Sequence, residues 1–384
     1  MRRILLVVVI ALLVGLAGCV DTDDLGDDGD LPGDDDAADK ADDDSEPSDD
    51  DGTETDSGDD DNDDVGPPDD SNGDEQPTGE LEFHHIDVGQ ADATLVVTPE
   101  DETILVDSGD WLPDGSEVIA YLDGQGVDRI DHLVATHAHA DHIGGHAAII
   151  EEYETNREGI GNIYDSGVPF TTQTYENYLD AVDDHGHELL LVEEGDTLPL
   201  DSENVSVTVL NPPAGDSGSE LHENSVALVI EFGEVRYLTT GDAERDAEAR
   251  MVDDWAEELS ADIYHAGHHG SSTSSTESFM QAVDPDISII SSDLDSQFGH
   301  PHDEVLDRFD TMGIETYWTG VHEDILVTTD GESVSVSPAV EESTDPATLG
   351  ELKPNGDAVG AVVPPGIGLP TASTTGPVAP PATG

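Results

Sequence analysis

Basic residues are nearly missing from this sequence: its 384 residues hold ten Lys and Arg against 91 Asp and Glu, a formal charge of −81. Without a cationic surplus there are no counterions to exchange with a polyanion, which excludes a general DNA-coating protein and a polybasic membrane-surface protein. Cysteine occurs once, at Cys19. Neither an internal disulfide framework nor a multi-cysteine zinc module can form. Aromatics make up 4% and hydrophobics 35% of the chain, low for one large globular unit. Past the first 19 residues, no apolar stretch reaches the length needed to span a bilayer.

The deficit is concentrated at the ends. Arg2 and Arg3 precede an apolar run over 4–16, too short for a comfortable transmembrane helix and suited to an export signal over 1–19. The run closes on Leu16-Ala17-Gly18-Cys19, which resembles a lipobox, where the cysteine is lipidated and becomes the mature N-terminus. An ordinary signal peptide with a stray cysteine is the alternative. The paired arginines also permit twin-arginine export. The expectation is an extracytoplasmic protein, held on the outer face of the membrane by Cys19, or secreted if that anchor is absent.

Residues 20–79 carry 28 acids against one base, Lys40, with almost nothing apolar. Such a segment cannot offset its chain entropy by burial, and self-repulsion keeps it extended: a disordered acidic tether. None of its Asp runs has EF-hand spacing. Residues 337–384, rich in Pro, Gly, Ala and Thr, read as a flexible tail. That leaves 80–336, long enough for one sizeable core. Acidity persists past the tether, with 63 acids against seven bases in 80–384. Surfaces hydrated by carboxylates suit concentrated salt, where the Debye length is only about 3 Å. A halophilic protein is expected.

Within 80–336, β-branched apolar runs recur at 81–88, 93–98, 103–106, 132–135, 205–210, 226–232, 235–240, 287–290 and 325–328. Helical patterns lie between some of them, at 117–122, 142–153, 174–183, 243–259, 277–283 and 303–312. Strands cluster early and then alternate with helices. The reading is α/β, two packed sheets with helices outside.

Chemistry collects where strands end. Thr136-His137-Ala138-His139-Ala140-Asp141-His142-Ile143-Gly144-Gly145 follows a strand and opens a helix, with four potential ligands in six positions. Imidazole nitrogen and carboxylate oxygen suit Zn²⁺ or a similar divalent ion, and the alternation offers two adjacent positions. Leu238-Thr239-Thr240-Gly241-Asp242 is a second strand running into a turn tipped by a carboxylate. Alone, Asp242 would be read as a helix cap; beside the histidines it is a candidate bridge between two ions. A third cluster, His265-Ala266-Gly267-His268-His269-Gly270-Ser271-Ser272, offers one of His268 and His269 to the second ion. The other, with Ser271 or Ser272, can meet an anionic substrate, and His265 reads as structural. In Phe298-Gly299-His300-Pro301-His302, His300 either lines the pocket or simply precedes a helix.

Histidine-x-histidine-x-aspartate-histidine resembles the signature of the metallo-β-lactamase fold superfamily. The finer pattern is similar to the extracytoplasmic hydrolase domain of the ComEC family of DNA-uptake proteins and its stand-alone relatives. It comprises Ile86-Asp87-Val88-Gly89-Gln90-Ala91-Asp92, Leu105-Val106-Asp107-Ser108-Gly109, the His137–His142 motif, Glu223-Asn224-Ser225-Val226, Thr240-Gly241-Asp242, His268-His269-Gly270-Ser271 and Gly299-His300-Pro301. The resemblance implies an αββα sandwich with the site along one edge of the sheets. It also implies two divalent ions, Zn²⁺ or Mn²⁺: His137 and His139 on one, Asp141, His142 and either His268 or His269 on the other, Asp242 bridging; for the third histidine of the first ion His222 is the candidate, and without it that site has fewer protein ligands. Asp107 would orient a ligand as an outer acceptor, and Asp87 either does likewise or ends its strand. The ComEC channel segments have no counterpart here, so the chain is not itself a translocator.

The expected activity is hydrolysis by a metal-bound hydroxide, with Asp141, Asp242, His268 and His269 closest to the reaction. A bridging carboxylate and the His-His-Gly-Ser turn favour a phosphodiester, hence a nuclease or phosphodiesterase. Carboxylic-ester, thioester or lactam hydrolysis on the same metals is the first alternative. A non-catalytic surface binding lipoprotein that keeps metal for folding alone is the second. With three Trp in total, an extended single-strand stacking platform has little support.

Overall fold

A computed structural model describes residues 77–354, apart from Pro113 and Asp216. The expected signal peptide, Cys19, nearly all of the tether, and 355–384 lie outside the described residues. The first sheet begins with β1 (Leu81–His85), β2 (Thr94–Val97) and β3 (Thr103–Val106), an antiparallel meander. It continues in parallel through β4 (Ile130–Ala135), β5 (Ile160–Asp165) and β6 (Leu189–Leu191). The second holds β7 (Val205–Asn211), β8 (Ala227–Phe232), β9 (Val235–Thr239), β10 (Ile263–His265), β11 (Ile287–Ile290) and β12 (Glu315–Trp318). Then β13 (Ile325–Thr329) and β14 (Val334–Pro338) return to the first, giving orders 14-13-1-2-3-4-5-6 and 12-11-10-9-8-7.

Both faces of each sheet are covered, which is why the strands read as apolar runs rather than alternations. Phe83, Val96, Ile104, Val106 and Val134 point between the sheets and meet Val207, Leu228, Ile230 and Tyr237. Their neighbours Leu95, Leu105, Leu133 and Ala135 face the opposite way, under α1 (Ser116–Gln125), α3 (His146–Asn156) and α4 (Gln173–Asp184), where Tyr153 and Tyr178 seal the layer. Between α1 and α3 lies the short α2 (Ala140–Ile143). On the far side, Val229, Leu238, Tyr264 and Ile290 pack beneath α5 (Arg245–Asp254), α6 (Glu277–Val283) and α7 (Asp303–Met312). The short α8 (Thr319–His322) and α9 (Pro346–Leu352) are the remaining α-helices among the described residues. The architecture is the α/β, αββα sandwich.

Several boundaries differ from the sequence reading. The helix expected over 142–153 is divided at Gly144-Gly145, and position 144 requires glycine because a Cβ there would run into the backbone of Asp110 and Trp111. The break lets the loop after β3 lie against the histidine motif, with Gly144 N donating to Gly109 O at 2.9 Å. The helix expected over 243–259 is confined to α5. The tail expected from 337 is folded at its start: β14 runs to Pro338, and α9 begins at Pro346 after Asp345, whose carboxylate accepts from Thr348 N. Leu349 is fully buried in the outer core, and Lys353 Nζ donates to Pro301 O and pairs with Asp303 at 2.7 Å. Among the described residues no helix is long and apolar enough to cross a membrane.

Candidate metal centre

The ends of β4, β9 and β10 converge on one edge. Val226 N donates to Thr136 O (2.8 Å), Asp242 N to Ser225 Oγ (3.0 Å) and His268 N to Gly241 O (3.0 Å), so the three motif-bearing turns are tied together by two backbone bonds and the Ser225 hydroxyl. Gly241 has φ 49°, and a Cβ there would collide with Ser225 and Thr136, so only glycine fits this junction. His268 and His269 also sit in the left-handed region, at φ 52° and 56°. Two successive non-glycine residues in that region cost on the order of 1–3 kcal/mol each, strain that the surrounding structure must hold.

Two donor clusters share Asp242. Around Oδ2 lie His137 Nε2 at 3.7 Å and His222 Nε2 at 3.8 Å, and His139 Nδ1 is 2.9 and 3.1 Å from those nitrogens. Around Oδ1 lie His142 Nε2 at 3.1 Å and His269 Nε2 at 3.7 Å, with Asp141 Oδ2 3.4 Å from His269 Nε2. Four donors tetrahedrally disposed about 2.0–2.2 Å from an ion are separated from each other by about 3.3–3.6 Å, so both sets fit a divalent cation. Three converging atoms, His142 Nε2, His269 Nε2 and Asp242 Oδ1, are buried without a hydrogen-bond partner, which ordinary native packing avoids. The donor chemistry and the unsatisfied atoms both fit two ions.

His222 therefore stands in the first cluster, on the short 3-10 turn His222–Asn224 ahead of β8. Of the two candidates for the second, the structure brings His269 to Asp141 and His142; its Nδ1 donates to Ser291 O at 3.0 Å. His268 lies outside that cluster, its Nε2 3.6 Å from Asp242 Oδ2. Asp107 accepts from Thr136 N (2.9 Å), Thr136 Oγ1 (2.7 Å) and His142 Nδ1 (2.7 Å), fixing the tautomer that leaves His142 Nε2 free. Asp87 does not reach a ligand. Its Oδ1 accepts from Gly89 N and its own N donates to Asp324, so it shapes the turn after β1. Ser271 Oγ bonds Thr273 Oγ1, and Ser272 N donates to His302 Nδ1, so the Ser271 hydroxyl and the Ser272 backbone are engaged within the turn and its neighbour. His300 lines the site, its ring stacked 6.2 Å from His269 with Gln90 Nε2 at its Nδ1. His265 is buried between Ser291 Oγ (2.8 Å) and Asp92 (3.3 Å).

The sequence reading misses Glu244. Its Oε1 is 3.2 Å from both His222 Nδ1 and His268 Nδ1 and accepts from Thr273 Oγ1 at 2.9 Å, so one carboxylate orients two imidazoles. The only signal was its place two residues after Asp242. Also unforeseen is the use of the scarce cations: Arg245, Arg308 and Lys353 donate to the carbonyls of Ser272, Ser275 and Pro301, and Arg250 to that of Glu223. Each pins a turn that carries a site histidine.

Burial penalises charge throughout the site, yet the carboxylates and imidazoles offset it for one another. The His142 imidazolium is held well above its ordinary pKa by Asp242 and Asp107, and His269 is pushed up to about 9 by Asp242 and Asp141. Asp242 is correspondingly held well below the carboxylate range, chiefly by His142 and His269. His137 and His139 are pushed down by burial and by their neighbouring imidazoles, which favours the neutral, ligating form. Cations bound here would take over the positive charge that protons on His142 and His269 otherwise supply, so metal uptake is coupled to proton release.

Residues 86–292 match the model of the metallo-β-lactamase superfamily. The chain belongs to that superfamily. It is 30% identical over 245 residues to ComE operon protein 3 of Bacillus subtilis, covering 60% of this chain and 30% of the relative. Similarity extends to competence protein ComA of Neisseria gonorrhoeae, 27% identical over 229 residues (60% and 29% of the two chains). It extends also to recombination protein 2 of Haemophilus influenzae, 28% identical over 238 residues (61% and 26%). The chain thus spans less than a third of the length of these ComEC-family relatives. Among solved structures, the metallo-β-lactamase fold protein YhfI of Bacillus subtilis aligns with TM-score 0.42 and 13% identity, covering 67% of this chain and all of that one.

Proposed function

We propose that this chain is a dinuclear metal-dependent phosphodiesterase that works outside the cytoplasm, anchored through Cys19 and separated from the membrane by its acidic tether. The observation that carries the reading is the division of Asp242, whose two oxygens face separate donor clusters. In this reading His137, His139 and His222 hold one Zn²⁺ or Mn²⁺, and Asp141, His142 and His269 the other. Two such ions would supply a water acidified towards neutrality and a counter-charge for the oxyanion of the reaction.

The chain's own residues do the positioning. Asp107 keeps the proton of His142 on Nδ1, and Glu244 does the same for His222. His268, held at Nδ1 by Glu244 beside the first cluster and 18% exposed, keeps Nε2 free to accept a proton from a substrate or water hydroxyl. His300, with Gln90 Nε2 at its Nδ1, lines the site beside His268 and His269. Water access is limited because His137, His142, Asp242 and His269 are buried. Names among the relatives that refer to competence and recombination support a nucleic-acid phosphodiester. The charge of −81 opposes it only at low salt, since repulsion is short-ranged in concentrated salt.

The test is a panel in concentrated KCl: bis(p-nitrophenyl) phosphate, single- and double-stranded DNA, a thioester and a β-lactam. Turnover of the phosphodiesters, lost in Asp242→Asn with the fold retained, is expected. Preferential turnover of the thioester or lactam would move the activity to the other substrate class, and no turnover of anything by the metal-loaded protein would favour a binding lipoprotein.

A further inference from the structure

A buried polar cluster lies beneath the ligands and has no part in the function proposed above. Asp92 stands in the turn between β1 and β2 of the first sheet, whereas His265 ends β10 and Ser291 directly follows β11 in the second. All three are buried. His265 Nε2 lies 2.8 Å from Ser291 Oγ and 3.3 Å from Asp92 Oδ1, an oxygen with no other hydrogen-bond partner. The opposite ring nitrogen faces Thr239 Oγ1 at 3.4 Å. With that hydroxyl donating to Nδ1, the ring proton sits on Nε2, shared between the carboxylate and Ser291 Oγ.

Aspartate, histidine and serine together suggest a nucleophilic triad, but a triad sets the acid and the hydroxyl on opposite ring nitrogens. Here both meet Nε2, and Ser291 is 1% exposed, so the cluster is not a second nucleophile. Stability does not account for it either, since buried charged and polar partners are often no better than apolar side chains of the same volume. Its contacts lead instead to the second donor cluster. Ser291 O accepts from His269 Nδ1 at 3.0 Å, which leaves Nε2 of that ring for the ion. Asp92 N donates to Asp141 O at 3.0 Å, and Asp92 O accepts from Gly109 N at 2.8 Å. One residue thus reaches two ligands that come from different sheets: Asp141 through its backbone, and His269 through His265 and Ser291. The donor atoms of those two ligands are 3.4 Å apart. The first cluster is held from elsewhere, His137 Nδ1 by Thr136 Oγ1 and His222 Nδ1 by Glu244, each at 3.2 Å.

We infer that Asp92 and His265 are positioning residues for the second ion, a buried polar link between the sheets that sets the separation of Asp141 and His269. This rests on the two-ion reading and is independent of the substrate.

The experiment measures both metal affinities of the full chain, by competition with a chromophoric chelator in concentrated KCl, in the wild type, His265→Leu, His265→Gln and Ser291→Ala. Cutting the link in His265→Leu should lower second-ion affinity by about three- to tenfold, reaching at most the lower limit for a group that touches a ligand directly, with the first-ion affinity changed by less than about twofold. Glutamine can donate from its amide to Asp92 or Ser291 and should restore most of the loss. Ser291→Ala removes the hydroxyl but keeps the carbonyl that holds His269; its loss should be intermediate, and it decides the question should His265→Leu not fold. Co²⁺ gives a second readout, because the visible d–d bands of the second ion should change in His265→Leu. Leu349→Ala, destabilised in the outer core, should keep both affinities and the bands of the wild type, which separates positioning from lost stability. Equal losses at both ions, or an unchanged second-ion affinity in the folded variants, would overturn the positioning role with the metal centre intact. A wild type that binds neither ion would remove the two-ion reading and this inference together.

Discussion

Replacing Asp107 by Asn keeps the shape of the side chain and removes an acceptor. In the wild type Oδ2 accepts from Thr136 Oγ1 and His142 Nδ1, both at 2.7 Å, and Oδ1 accepts from Thr136 N at 2.9 Å. Asparagine can serve the backbone N–H, but its amide NH₂ then faces His142 Nδ1. The imidazole must shift its proton to Nε2, the atom 3.1 Å from Asp242 Oδ1, and a protonated nitrogen cannot ligate. Loss of such an outer partner typically costs 10- to 100-fold in metal affinity or activity, equivalent to about 1.4–2.7 kcal/mol. Competition with a chromophoric chelator in concentrated KCl measures this directly. The second-site affinity should fall within that range and the first-site affinity should change far less, since His137, His139 and His222 do not touch Asp107. Asp330→Asn, in the exposed turn between β13 and β14, is the control. Two unaltered affinities in Asp107→Asn would refute the tautomer argument.

Two further outcomes follow from the packing around the site. Leu349→Ala should destabilise the domain by about 2–5 kcal/mol in a denaturant titration, as expected for a fully buried leucine; a loss below half a kcal/mol would mean that α9 does not seal the outer core. Glu248, buried on α5, accepts from Ser275 N (2.5 Å) and Thr276 N (2.9 Å), and burial pushes its carboxyl up to about 7 despite those bonds and nearby Arg308. A folded-state value above the unfolded one means that its contribution is complete below about pH 4.5 and is lost as pH rises through 7, worth up to roughly 3 kcal/mol. Unfolding free energies at pH 5 and pH 8 should differ by less in Glu248→Gln than in the wild type; equal differences would contradict the buried-carboxyl account.

Much of this site is readable because its chemistry is local in sequence. His137, His139, Asp141 and His142 are contiguous, and Asp242 stands at the end of an apolar strand. The choice between His268 and His269 is not local: both adopt left-handed backbone, and only the sheet beneath decides which imidazole meets Asp141. Glu244 escapes for the same reason, since its partners lie 22 residues before it and 24 after it in sequence. The fold class follows from strands buried on both faces. The parts not read as elements are β5, β12 and β14, whose apolar runs are interrupted by polar residues, β6, only three residues long, and α9, whose Asp345 cap and Pro346 start are masked by the low-complexity composition around them. The break at Gly144-Gly145 requires knowing that the loop after β3 needs that space.

The most direct measurement is the metal content of the full chain. Refolded with Zn²⁺ or Mn²⁺ in concentrated KCl and freed of loose ions, the wild type should carry two divalent ions per chain by elemental analysis, and Asp242→Asn should carry fewer. A folded wild type that retains none would contradict the account at its centre.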